Sequence, residues 1–162
     1  MNELVKAKPG QYLTFQLMQE QYGLPIETIR EINQYAEITP VPRTPDFIKG
    51  VMNLRGKIIP VVDLRLKFGL SHTDVTRDTC IVVIDSTEGQ VGMVVDAVRE
   101  VVDLDEKQIE PAPVLAHDQH RSFITGMGKL DKHVVILVDI VSEFSHDQLS
   151  RISELHQAQS AA

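Results

Sequence analysis

The chain repeats itself, and that duplication limits it to folds that two similar small units can build together. Tyr22–Ile32 (YGLPIETIREI) aligns without a gap on Val91–Val101 (VGMVVDAVREV). Gly23 then meets Gly92, Ile26 meets Val95, Glu27 meets Asp96, Ile29 meets Val98, and Arg30-Glu31 meets Arg99-Glu100. Farther on, Ile38–Pro42 (ITPVP) aligns on Ile109–Pro113 (IEPAP), and Phe47–Leu64 (FIKGVMNLRGKIIPVVDL) on Phe123–Ile140 (FITGMGKLDKHVVILVDI), after which Phe68 meets Phe144. Three blocks in one order imply two related units of about 60 residues, a size at which a lone core is marginal. The expected units are 12–70 and 79–145, joined by the polar stretch Ser71–Asp78 and packed around a shared core.

Each unit reads as β structure. Val and Ile total 33 against 14 Leu, and β-branched side chains favour a pleated sheet over a helix surface. Leu13, Phe15 and Leu17 alternate with Thr14 and Gln16, the pattern of a half-buried strand, and Gln21–Ile26 reads as its return. Ile26, Ile29 and Ile32 have helical spacing, which a short helical turn or a twisted strand would satisfy. Beyond the proline-rich TPVPRTP, which cannot lie in a central strand, FIKGVMNL and KIIPVVDL flank Arg55-Gly56 as a hairpin, the glycine supplying a positive φ. About five short strands per unit suggest a small barrel. Ser145, Gln148, Leu149, Ile152 and Leu155 mark a capped helix over 146–162, its end fraying as a tail.

The 162 residues carry a net charge of -7, which disfavours nucleic acid as a partner. Residues 1–70 hold 9 basic and 7 acidic side chains, whereas 71–162 hold 7 and 16. Six basic residues within 43–67 against two acidic ones suggest a locally basic surface. The single cysteine, Cys80, cannot form an internal disulfide and reads as a buried, inert thiol. With no signal-like N-terminus and no apolar run approaching about 20 residues, the expected location is cytoplasmic.

No P-loop, dinucleotide fingerprint, HExxH, CxxC or GxSxG is present, so neither catalytic residues nor a cofactor is expected. His117 and His120 offer two imidazoles without a third ligand, so no metal is expected. Gly126–Gly128 (GMG) reads as close backbone packing. Asp63 and Asp139 occupy equivalent places, so a carboxylate pair is conceivable, but each stands where an aspartate caps the next turn. One departure from the repeat is more telling: Asn53–Lys57 (NLRGK) aligns on Lys129–His133 (KLDKH), so the hairpin tip carries Arg55-Gly56 in one copy and Asp131-Lys132 in the other. Arg55 presents a planar set of donors, and Glu31 is its candidate carboxylate partner.

Phe47–Leu70 (FIKGVMNLRGKIIPVVDLRLKFGL), with YGLPIETIREI before it and QIEPAP, FITGMG and ILVDI after it, closely resembles the CheW family, the adaptors of bacterial chemotaxis arrays. The resemblance spans about residues 11–145, and the NLRG hairpin with its PVVDLR continuation is its most specific part. It implies a mainly β fold of two SH3-like five-stranded barrels around a shared core, and a non-enzymatic adaptor bridging the regulatory domain of the histidine kinase CheA and the cytoplasmic tip of chemoreceptors. It further implies a receptor groove between the barrels, with Ile26, Ile29, Glu31, Asn53, Leu54, Arg55, Gly56, Val98 and Val101 as the matching candidates. The apolar members would receive a receptor helix, and Arg55, held by Glu31, would fix the hairpin. The kinase would use exposed barrel edges and loops, including Gln108–Pro113. The expected adaptor is cytoplasmic, recruited to membrane-bound arrays without inserting, and not an obligate homo-oligomer. The His117–His120 loop and the acidic second half depart from a generic member. Alternatives are an adaptor of a parallel, non-flagellar pathway, an enzyme built on Asp63 and Asp139, and a nucleic-acid-binding barrel, the last lacking an aromatic platform beyond Phe47 in its basic stretch.

Overall fold

The computed structural model describes residues 7–70, 74–86, 89–112 and 123–140. They form eleven strands in two sheets: β1 (Gly10–Leu17), β2 (Glu20–Pro25), β3 (Ile29–Gln34), β4 (Ile48–Leu54), β5 (Lys57–Asp63), β6 (Cys80–Ser86), β7 (Gly89–Val95), β8 (Ala97–Leu104), β9 (Ile109–Glu110), β10 (Ile124–Lys129) and β11 (Val134–Val138). One sheet runs β8-β1-β2-β11-β10-β9 and the other β3-β6-β7-β5-β4. This mainly β architecture is compatible with two SH3-like barrels. The sixth strand, β9, has only two residues, and its counterpart beside the other sheet is the isolated bridge between Thr39 and Val51.

The sheets do not follow the repeats. β1 and β2 of the first repeat join β8 to β11 of the second, while β6 and β7 of the second join β3 to β5 of the first. The boundaries expected at 12–70 and 79–145 therefore mark the duplication rather than the sheets. The exchange is reciprocal: the parallel contacts Gly23–Leu137 and Gly92–Val61 are the same contact in the two copies. Local alternation marks each strand but not its partner across the ladder. The helix expected at 146–162 lies outside the described residues.

Both faces of the central strands are buried, which explains near-continuous apolar runs such as CIVVI. Val82 and Ile84 face a core shared by both sheets with Leu13, Phe15, Leu17, Val62, Phe123 and Val138. Ile81 and Val83 face a second core with Met52, Ile59, Val61 and Val94. Tyr12, Leu104, Val135 and Leu137 form a third within the six-stranded sheet. Phe15, Tyr22, Phe68 and Phe123 run through the shared core as a chain of ring contacts, Phe68 and Phe123 stacked with centroids 4.0 Å apart. Close backbone packing explains a glycine present in both copies. A Cβ at Gly50 would lie 2.0 Å from the Thr39 carbonyl oxygen, and one at Gly126 would lie 2.9 Å from that of Glu110.

The helical spacing of Ile26, Ile29 and Ile32 resolves into two features. Ile26–Thr28 is a single 3-10 turn, and β3 then bulges so that Ile29 faces Ile84 and Ile32 faces Val82. A bulge inserts one residue, so side chains three apart project to one side of the sheet. β8 repeats the device, with Val98 opposite Phe15 and Val101 opposite Leu13. There the buried Thr14 hydroxyl donates to the Glu100 carbonyl at 2.7 Å and accepts from its N–H at 3.0 Å. The aligned Arg-Glu pairs thus mark a bulge in each copy.

Candidate partner-binding site

β3 and β8 are the terminal strands of their sheets, and both carry an apolar strip on the shared-core side. Ile26, Ile29 and Val98 pack partly against that core. Ile32 and Val101 remain 43% and 48% exposed. The terminal strand of each sheet thus exposes an aliphatic residue at the same place in both copies. Ile32 joins the candidates on that ground, its alignment with Val101 being the signal in the sequence.

The β4–β5 hairpin lies at the opposite end of the sheet order from β3, and its tip reaches β3 through the Arg55 side chain. Leu54 pairs with Lys57 across a two-residue loop, with Arg55 at φ 53° and Gly56 at φ 87°. Two successive left-handed residues define the type I′ geometry that matches strand twist. The glycine was expected there; the arginine's positive φ was not, and it is uncommon for a side chain of this size. The Asn53 Oδ1 accepts from the Gly56 N–H at 2.7 Å, tying the loop across its base. Leu54 packs toward the interior core of the five-stranded sheet, so it supports the hairpin more than it offers a contact. A Cβ at Gly56 would touch nothing within 4 Å, leaving backbone strain as the cost of substitution. Gly56→Val is expected to lose about 1–2 kcal/mol and to melt about 3–8 °C lower; an unchanged melting temperature would show that the loop tolerates a β-branched residue.

The predicted carboxylate partner is in place. Arg55 grips Glu31 with both terminal nitrogens, Nη1 to Oε1 at 3.1 Å and Nη2 to Oε2, and the Asn33 amide donates to Oε1 at 2.9 Å. These hydrogen bonds from Arg55 and Asn33 hold the Glu31 carboxyl below its ordinary pKa, and that of Arg55 is raised in return. The Arg55 side chain is nevertheless 71% exposed, so the pair fixes a side chain at the surface. Fork-to-carboxylate pairing is directional. The structure therefore brings Glu31, Asn53, Arg55 and Gly56 together, with Ile29 on the same strand as Glu31. Val98 and Val101 stand on β8 of the other sheet.

The aligned position in the second repeat is different. Glu100 replaces Glu31, but Asp131 replaces Arg55, so the same pair cannot form there. Glu100 and Asp131 instead line a cleft with Val102, Gln108, Leu130, Lys132 and His133.

Of the basic side chains over 43–67, Arg43, Arg55 and Lys57 are exposed, Lys49 and Lys67 are half-buried, and Arg65 is turned inside the protein. Arg65 is completely buried: its Nε and Nη2 each donate to Asp63 at 2.9 Å, and its Nη1 donates to Asp96 Oδ1 at 2.8 Å. Lys49 Nζ lies 3.8 Å from Asp63, Lys67 sits 4.4 Å over the Phe47 ring, and Arg55 is paired with Glu31. A run of charges suggested solvation, but the short helix Leu64–Lys67 after β5 turns Arg65 inward. Asp63 caps that helix, its Oδ1 accepting from the Arg65 N–H at 3.0 Å. Burial pushes the Asp63 carboxyl up, but the hydrogen bonds and charge of Arg65, with Lys49 beyond, outweigh it and hold the carboxyl below its usual range. Asp63 is thus committed to a cation and a cap rather than to a carboxylate pair with Asp139. Cys80 is half-buried, its thiol donating to the Asp78 carbonyl at 3.2 Å, so it is less enclosed than expected. Among the described residues, no cluster of three metal-ligating side chains occurs and no helix is long and apolar enough to cross a membrane. His117 and His120 lie outside the described residues.

The comparisons with known proteins agree with this architecture. The family model for the CheW-like domain matches residues 11–148. Chemotaxis protein CheW of Klebsiella aerogenes is 39% identical over 145 residues, covering 90% of this chain and 87% of that protein. Protein FrzA of Myxococcus xanthus is 30% identical over 110 residues, covering 67% of this chain and 69% of its own. The crystal structure of the scaffolding protein TtCheW from Thermoanaerobacter tengcongensis aligns with a TM-score of 0.78 at 37% identity, over 86% of this chain and 95% of that one. Sequence and fold thus converge over nearly the whole length, and the chain belongs to the CheW family of chemotaxis scaffold proteins.

Proposed function

We propose that this chain couples chemoreceptors to the histidine kinase CheA, acting through binding alone. The observation that carries the reading is the Glu31–Arg55 pair, an exposed and geometrically fixed arginine held by β3, the strand that also carries the exposed Ile32. A receptor helix would place its apolar face on Ile26, Ile29, Val98 and Val101, and its polar flank on Arg55, the helix-in-groove mode of recognition. Asn53, Leu54 and Gly56 would keep the hairpin in position. The kinase regulatory domain would take other strand edges and loops, including Gln108–Pro113, leaving both partners bound at once. Modest affinity at each contact suffices, because an array of many weak sites raises effective concentration. The protein would work in the cytoplasm, drawn to the membrane by its receptors.

Backbone amide chemical shifts followed during titration with a receptor-tip fragment test the reading. The largest changes are expected in β3, the 53–57 hairpin and the first half of β8. Changes confined to β9 to β11, or none at millimolar fragment, would sink it. The likeness to Protein FrzA supports a second reading, an adaptor of the same mechanics serving a parallel pathway with non-flagellar output.

A further inference from the structure

We infer that Arg65 and Asp96 form a positioning link that sets the path of β8 and so places Val98 and Val101 relative to the Arg55 hairpin; its functional half rests on the receptor reading above. Asp96 is the single residue between β7, in the five-stranded sheet, and β8, in the six-stranded one. It is the point at which the chain passes from one sheet to the other. Its Oδ1 accepts from Arg65 Nη1 at 2.8 Å, its Oδ2 accepts from the Met18 N–H at 2.6 Å, and its own N–H donates to the Gln16 carbonyl at 3.0 Å. Met18 lies in the β1–β2 turn and is held at φ 59°, a backbone state that methionine does not favour by itself.

The other side of the Arg65 guanidinium is bound to Asp63, the last residue of β5, and β5 is the strand that leads out of the Arg55 hairpin. One buried guanidinium therefore connects the end of the hairpin strand, the sheet crossing and the β1–β2 turn. Charge-assisted contacts at under 3 Å from a buried guanidinium to two carboxylates resist sliding far better than apolar packing, which is non-directional. The aligned crossing, from β2 to β3, is built differently: Glu27 takes the place of Asp96 within a three-residue 3-10 turn. The two crossings are thus unlike, and the tighter one leads directly into Val98.

The test uses nitroxide labels on the full chain at Lys57→Cys in β5 and Asp103→Cys in β8, both exposed positions, in a Cys80→Ser background. Inter-label distance distributions and receptor-fragment affinity are then measured with Asp96→Asn and Asp96→Ala added. A narrow distribution is expected for the labelled parent, with a shifted or broadened one in both Asp96 variants and an affinity loss of about fivefold to tenfold. If Asp96→Ala does not fold, Asp96→Asn, which keeps the shape and loses the charge, decides alone. An unchanged distribution in a folded variant overturns the link. A changed distribution with unchanged affinity sustains the link and overturns instead the assignment of Val98 and Val101 to the receptor site.

Discussion

Replacing Arg65 with leucine is expected to destabilise the fold by about 3–5 kcal/mol at neutral pH, the usual consequence of leaving a buried charge without its partner. Asp63 is fully buried with Arg65 as its principal partner, and Lys49, at 3.8 Å, is too far to replace two hydrogen bonds. The loss should depend on pH. In the parent, Asp63 is held below its usual pKa, so its contribution is complete above the ordinary aspartate value of about 3.9 and is lost as pH falls through the lower folded value. Without Arg65, burial dominates and the folded carboxyl is pushed up instead. The variant should then lose stability as pH rises from about 4 toward the raised value. Urea unfolding at neutral pH and near pH 4 reads both effects: the gap between parent and variant should narrow on acidification, and a small, pH-independent gap would mean that Asp63 is not confined as the structure indicates.

The second large effect is expected at Arg55, on function rather than folding. Arg55→Ala should fold normally, because the ion pair is exposed and such pairs add little stability. It should nevertheless weaken receptor control of the kinase. Arg55→Glu should be more severe, placing a carboxylate against Glu31 and driving the hairpin side chain away from β3; a loss of roughly tenfold or more in receptor-dependent kinase stimulation is expected. Combining Arg55→Glu with Glu31→Arg restores an ion pair of opposite polarity. Partial recovery would show that holding the hairpin matters, and no recovery would show that the arginine itself contacts the partner. Normal stimulation by a folded Arg55→Glu protein would remove Arg55 from the site.

Much of this fold is legible in the sequence because its signals are local. Alternation at Leu13, Phe15 and Leu17 marks β1, the Arg55-Gly56 turn marks the hairpin, and the aligned Gly50 and Gly126 mark close backbone approach. The shared core follows from the size of the repeats. What escaped depends on partners far away in the chain. Nothing within β1 says that its neighbour is β8 rather than β3, so the strand exchange is invisible until the ladders are seen. Arg65 is a similar case, since one of its two carboxylate partners, Asp96, lies thirty-one residues on. The Ile26, Ile29, Ile32 spacing left a helical turn and a strand both open for a different reason: a β-bulge and a helix both bring side chains three apart to one side.

The candidate site divides along the same line. The Glu31–Arg55 pair could be inferred because Arg55 breaks the repeat, and a residue serving only the fold would tend to occur in both copies. Ile32 could have been found by the opposite signal, an aliphatic residue that obeys the repeat yet remains exposed in both copies. The strained φ of Arg55 has no counterpart in the residue pattern.

Co-sedimentation with receptor cytoplasmic fragments assembled on vesicles, together with the kinase CheA, tests the central claim most directly. The account predicts that CheA enters the pellet when both the receptors and this chain are present, and that it falls toward background when Arg55→Glu replaces the parent chain. CheA pelleting equally well without the chain, or being displaced by it, would contradict the account.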